Sequence, residues 1–218
     1  MNSILLDFAK HIRNTIRDKI FWVWKGTVYE QNTCEIRRIT PRIPVKFRFG
    51  DFSDVAKLDI AHYEYDSEAK QFAMDRLQNG DKVIFGEYQG RIVYYMWIMF
   101  NAMDIDYRNY IPISSDRIYA YKRFTVKEYR GMSIAPAAYS FILDNLKLRG
   151  CEKLLGILDS RNIPSIRSTI KLGYYSIGNI YKIRLFSKMV YIISHNLRKQ
   201  LLEITHPHMG YSPINRRH

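Results

Sequence analysis

Two short stretches of this chain carry residue types that bind anions and handle protons. In the first, Arg130-Gly131-Met132-Ser133-Ile134-Ala135, a polar turn feeds a helical run. The first amides of a helix have no internal acceptor and sit at the positive end of its dipole, so they form a seat for a pyrophosphate. Gly131 lets the backbone turn sharply, Arg130 adds a charge suited to phosphate oxygens, and Pro136 is tolerated because it falls in the first turn. The second stretch runs from Asn162 to Tyr175 and contains Ser165, Thr169 and the helix-closing Leu172-Gly173. Both also read as ordinary capped helices, with Ser133 and Asn162 as N-caps. For proton transfer, Glu87 on a neighbouring strand offers a base, and Tyr174 or Tyr175 a phenol, although a free tyrosine titrates at about 10.

The elements that must position these residues follow from hydrophobic spacing. Leu5, Phe8, Ile12, Ile16 and Ile20 line one side of an amphipathic helix over residues 3–20, and Phe21 to Tyr29 reads as a strand. We set residues 1–40 apart as an N-terminal extension. After Pro41 and Pro44 come a strand at 45–49, helices at 51–63 and 67–77, and a hairpin of 82–88 with 91–100 about Gln89-Gly90. The polar stretch with Pro112, Ser114 and Ser115 reads as a loop. A strand at 118–125 then leads into the first stretch. A helix at 134–148, a strand at 153–158, a helix at 162–172 and two closing strands at 181–186 and 189–193 complete a main domain over 41–195. A short helix and tail occupy 196–218. An antiparallel run passing into β-α-β predicts an α/β (α+β) domain, a mixed and mostly antiparallel sheet with helices on both faces.

Taken together, the two stretches resemble the GNAT acyltransferase superfamily. Its acetyl-coenzyme A motif, Arg/Gln-x-x-Gly-x-Gly/Ala, is similar to Arg130 through Ala135, and its Asn-x-x-Ala/Ser helix ending in Leu-Gly-Phe/Tyr is similar to Asn162, Ser165 and Leu172-Gly173-Tyr174. The resemblance covers about residues 45–186. It implies that pantetheine pairs with the strand end at Phe124, Thr125 and Val126, that the amides of Gly131, Met132, Ser133, Ile134 and Ala135 receive the pyrophosphate, and that Asn162 and Ser165 face the pantetheine arm. The implied reaction is direct transfer from acetyl-CoA or another acyl-CoA to a primary amine of a small molecule, with a phosphorylated or nucleotide-linked amino sugar as one acceptor class and no metal. Three departures stand out. Ser133 replaces the motif's central glycine, which predicts a different turn; Pro136 removes one amide; and Thr169 stands where many relatives place a tyrosine acid.

Bulk properties bound these readings. Among 218 residues, 34 Lys and Arg against 21 Asp and Glu give a formal charge of +13, a field that attracts polyanions. It suits CoA, an acidic acyl-carrier protein as alternative donor, or nucleic acid or an anionic membrane surface bound by a non-catalytic adaptor. No recognised nucleic-acid motif accompanies it. Two cysteines make neither a disulfide framework nor a zinc site, and His206-Pro207-His208 has no third ligand nearby. With no apolar run of membrane-spanning length, the expected location is cytoplasmic.

Overall fold

In the computed structural model, residues 21–57, 67–106, 109–146, 150–186 and 188–202 are described. The expected helix at 3–20, part of the helix at 51–63 and the His206-Pro207-His208 tail lie outside them. In chain order the elements are β1 (Phe21–Asn32), β2 (Lys46–Phe49), α1 (Phe52–Lys57), α2 (Ser67–Gln78), β3 (Lys82–Tyr88), β4 (Arg91–Phe100), β5 (Ala102–Asp104), β6 (Tyr110–Pro112), β7 (Arg117–Thr125), α3 (Ile134–Leu146), β8 (Lys153–Asp159), α4 (Ile163–Lys171), β9 (Tyr175–Leu185), β10 (Lys188–Ile193) and α5 (His195–Leu202).

Eight strands form one sheet in the order β10-β9-β1-β8-β7-β4-β3-β2, and every pair is antiparallel except β7 with β8. The hairpin expected at Gln89-Gly90 is present, with φ of 50° and 73°, the left-handed pair that a two-residue turn between twisted strands demands. β4 shows why both faces are covered: Tyr95, Trp97 and Met99 point one way and Tyr94, Met96 and Ile98 the other, all buried. The first face packs against α1, α2 and α5 through Val55, Ala73 and Leu197, and the second against α3 and α4 through Ala138, Ile142 and Ile166.

Two features depart from the sequence reading. The stretch read as a loop holds a short ladder, Ala102–Asp104 with Tyr110–Pro112, whose Met103 and Ile111 are buried; three-residue strands are too brief to show alternation. More consequentially, β1, grouped by sequence with the N-terminal extension, lies inside the sheet, paired with β8 over seven residues and with β9 over ten.

At the other side of the sheet, Arg48 on β2 donates to Asp54 of α1 at 2.6 and 2.7 Å and to Glu87 of β3 at 2.8 Å. Hydrogen bonding to Arg48 lowers the Asp54 carboxyl to about 2. A depressed carboxylate stabilises the fold above its unfolded value of about 3.9, and that contribution, about 2 kcal/mol, is lost as pH falls through 2. Urea midpoints should therefore show the wild type's advantage over Asp54→Asn shrinking between pH 4 and 2. A gap that stays constant over this range contradicts the assignment.

Candidate donor site

The site begins where β7 and β8 part. They pair for only three residues, Arg117 to Tyr119 with Lys153 to Leu155, before the strands separate. Between them opens a cavity of about 190 Å³, walled by Ala120 to Arg123 of β7, Leu155 to Leu158 of β8, Tyr139 of α3, and Asn162, Ser165 and Thr169 of α4, with Tyr29, Met96 and Tyr174 completing it. Gly156 sits at the point of separation. A Cβ added there would meet only the Ala120 carbonyl oxygen, at 3.7 Å, so the missing side chain itself keeps the space open.

The strand end that faces this gap is set by ladder geometry. In an antiparallel pair, successive residues turn their peptide groups to alternate sides. The Val126 amide donates to Val93 of β4 at 3.0 Å, and Phe124 pairs with Tyr95 in the same phase. Thr125 therefore turns its peptide groups to the open side, where its carbonyl accepts Nε of Arg130 at 3.1 Å. Of the three strand-end residues expected to pair with a ligand, only Thr125 presents its backbone to the gap; Phe124 and Val126 are bonded into the sheet.

A bulge lies one step earlier. Tyr95 pairs with Phe124 but Trp97 pairs with Tyr121, so Met96 faces both Lys122 and Arg123, and Lys122 takes φ 45°. An extra residue reverses which side chains point to which face. Tyr119 and Tyr121 belong to the α1–α2 face, and the bulge turns Arg123 to the α3–α4 face, where it donates to the Tyr139 hydroxyl at 2.9 Å. Nothing in the sequence signals this bulge, and Arg123 was not among the expected site residues.

Beyond Thr125 the chain makes a turn at Lys127–Tyr129 and enters α3 through Gly131 (φ 80°) and Ser133 (φ 58°). Ser133 thus adopts the left-handed conformation that glycine takes freely, at a cost of about 1–2 kcal/mol. The first intrahelical bond runs from Ala137 N–H to the Ser133 carbonyl at 3.1 Å, so the amides of Ile134 and Ala135 have no partner inside the helix. The segment 38–42 runs alongside α3: Arg38 pairs with Asp144, the Ile39 amide donates to Ser140 Oγ at 3.0 Å, and the Arg42 amide donates to the Met132 carbonyl at 2.9 Å. Arg42, exposed, is thereby tied by its backbone to the segment entering α3, and the guanidinium of Arg130 rests 5.9 Å from the Phe124 ring centroid.

No family model matches the sequence, and no curated protein matches it significantly. Solved structures do match in shape. An acetyltransferase of the GNAT family from Colwellia psychrerythraea superposes with a TM-score of 0.52 at 13% identity, over 75% of this chain and 55% of that one. The chain has the GNAT fold. A tandem GNAT protein of the clavulanic acid biosynthesis pathway aligns with a TM-score of 0.53 at 11% identity, over 76% of this chain and 55% of that one. A functionally unknown conserved protein from Staphylococcus epidermidis aligns with a TM-score of 0.57 at 10% identity, over 78% and 64%. The chain thus spans less than two thirds of the length of each of these structures.

Within this GNAT fold the remaining expected residues separate. Asn162 Oδ1 accepts the Ser165 amide at 3.2 Å, so Asn162 caps α4 while both residues line the cavity. Thr169, in place of a tyrosine acid, is buried in the same wall. Tyr174 lies in the cavity, its ring 5.9 Å from and edge-on to Tyr139, with its hydroxyl buried. Burial pushes that hydroxyl well above the ordinary phenol value, so it keeps its proton. Tyr175 instead donates to Glu30 at 2.8 Å. Glu87 does not reach the site. It lies on β3, separated from the cavity by β4 and β7, and its carboxylate is held by Arg48. Among the described residues no aspartate, glutamate or histidine lines the cavity, and no such groups cluster as metal ligands. No helix among them is long and apolar enough to cross a membrane.

Proposed function

We propose that the chain is an N-acyltransferase whose donor is an acyl-CoA. The observation that carries this reading is the gap between β7 and β8, which opens onto a cavity lined by Asn162 and Ser165, while Thr125 turns its peptide groups to the same open side. The pyrophosphate sits on the amides from Gly131 to Ala135, with Arg130 and Arg42 as counter-charges. Pantetheine runs along the open edge at Thr125, between Asn162 and Ser165, and the thioester lies in the cavity.

The acceptor is a primary amine of a small molecule; a phosphorylated or nucleotide-linked amino sugar suits the basic surface. Its nitrogen attacks the thioester carbonyl, the C–N bond forms as the C–S bond breaks, the ammonium proton leaves to solvent, and the thiolate takes a proton. Holding both reactants in one cavity supplies the acceleration. Tyr174 stays protonated and donates a hydrogen bond to the departing sulfur.

A second reading is a GNAT-fold module that binds acyl-CoA without turning it over, with Thr169 in the cavity wall at the position where the resemblance implies a tyrosine acid. Titration calorimetry with acetyl-CoA and longer acyl-CoA tests the site common to both, and release of free thiol in the presence of amines separates them. Arg130→Ala should weaken CoA binding about tenfold through loss of a charge-assisted contact, with the melting temperature nearly unchanged because Arg130 is exposed. Equal binding by the variant rules out the phosphate assignment.

A further inference from the structure

The cavity holds a positive charge that the transfer reaction does not use. Arg123 reaches it because of the bulge at Lys122, and its one hydrogen bond goes to a neutral partner, the Tyr139 hydroxyl, whose ring also lies beneath the guanidinium at 5.9 Å. Among the described residues no carboxylate pairs with it. Among the described residues the two fully buried arginines are matched, Arg76 with Asp81 and Asp104, and Arg117 with Glu30. Arg123 is half-buried, and a guanidinium partly withdrawn from water without a counter-ion is a ready site for an anion arriving with a ligand.

Position says which part of the ligand this is. Arg123 precedes Thr125 by two residues on β7 and lines the cavity, whereas none of the residues from Arg130 to Ala135 does, so it stands with the acyl end of the donor. It points to the α3–α4 face, the side on which the donor lies. Resting on the donor assignment above, we infer that the acyl group accepted here ends in a carboxylate, bound by Arg123 with the hydroxyl of Tyr139. A cavity of about 190 Å³ has room for about six water-sized atoms, which suits a four-carbon dicarboxylic acyl chain.

Calorimetry on the wild-type protein with CoA, butyryl-CoA and succinyl-CoA tests this, because the last two differ mainly in the terminal carboxylate. Succinyl-CoA should bind about tenfold or more tightly than butyryl-CoA. Arg123→Met, which keeps the apolar stem, should bring that ratio close to one. If the methionine variant does not fold, Arg123→Lys, which keeps the charge but loses the fork, should reduce the ratio without erasing it. CoA binding with equal affinity for the two thioesters in the wild type overturns the carboxylate assignment alone, as it would if Arg123 served a carboxylate on the acceptor instead. Failure of all three to bind overturns the donor site together with it.

Discussion

Gly156→Val should abolish saturable acyl-CoA binding, with at least a hundredfold loss in affinity, while leaving the protein folded. The substitution places a branched side chain in extended backbone, where valine is favoured over glycine and the backbone loses less entropy on folding. Its Cβ meets nothing closer than 3.7 Å, so the fold has room for it. The remaining methyl groups project into the gap between β7 and β8, beside Ala120, where the thioester arm is placed. An unfolding midpoint at or above that of the wild type, together with calorimetric silence toward acyl-CoA, is the expected pair of results. Undiminished binding by this variant means that the ligand lies elsewhere.

The largest effect on stability is expected from Glu30→Ala. Glu30 on β1 is 2% exposed and receives Arg117 of β7, also 2% exposed, at 3.1 Å, in a contact that is Coulombic and not aligned as a hydrogen bond. It also binds Lys153 of β8 at 3.2 Å and the Tyr175 hydroxyl of β9 at 2.8 Å, and Arg117 continues to the Gln200 carbonyl of α5 at 2.8 Å. One carboxylate therefore joins four strands, with a helix one contact further. Removing it leaves a buried guanidinium uncompensated, which costs about 3–5 kcal/mol. For a chain of this size that lowers the melting temperature by about 10 °C. A loss below about 1 kcal/mol would show that the cluster is spectator packing.

Legibility in the sequence followed the range of the interactions. The strand, turn and helix from Phe124 to Leu146 were readable because Gly131, Ser133 and Pro136 are local signals acting over a few residues. So was α4, with Asn162 at one end and Gly173 at the other. Glu87 was misread because its partner, Arg48, lies 39 residues away on a different strand, and nothing in the local pattern announces the pairing. Arg123 was missed for a different reason: alternation along Tyr119, Tyr121 and Arg123 is regular in sequence, and only the register against β4 shows the extra residue. Ser133 looked like a departure because its residue type was weighed without its dihedral angle, which the surrounding turn imposes. The place of β1 was the least readable of all, since a strand's own composition says nothing about which edges it will join.

That placement bears on how the protein is made. β1 reaches partners 135 and 152 residues later in the chain, as in the Trp24 to Asp159 and Thr27 to Asn179 contacts. At ribosomal rates of about 5–20 residues per second, a strand bearing Phe21, Trp22 and Trp24 waits roughly 7–30 s for β8 and β9 to be synthesised. Throughout that interval both its edges stand open to any extended segment, including the β1 of a neighbouring nascent chain. Strands β2, β3, β4 and β7, whose partners follow closely, can assemble meanwhile. The donor gap lies at the seam between this early half and the late one, so the site is completed only when β1 closes the sheet behind β8.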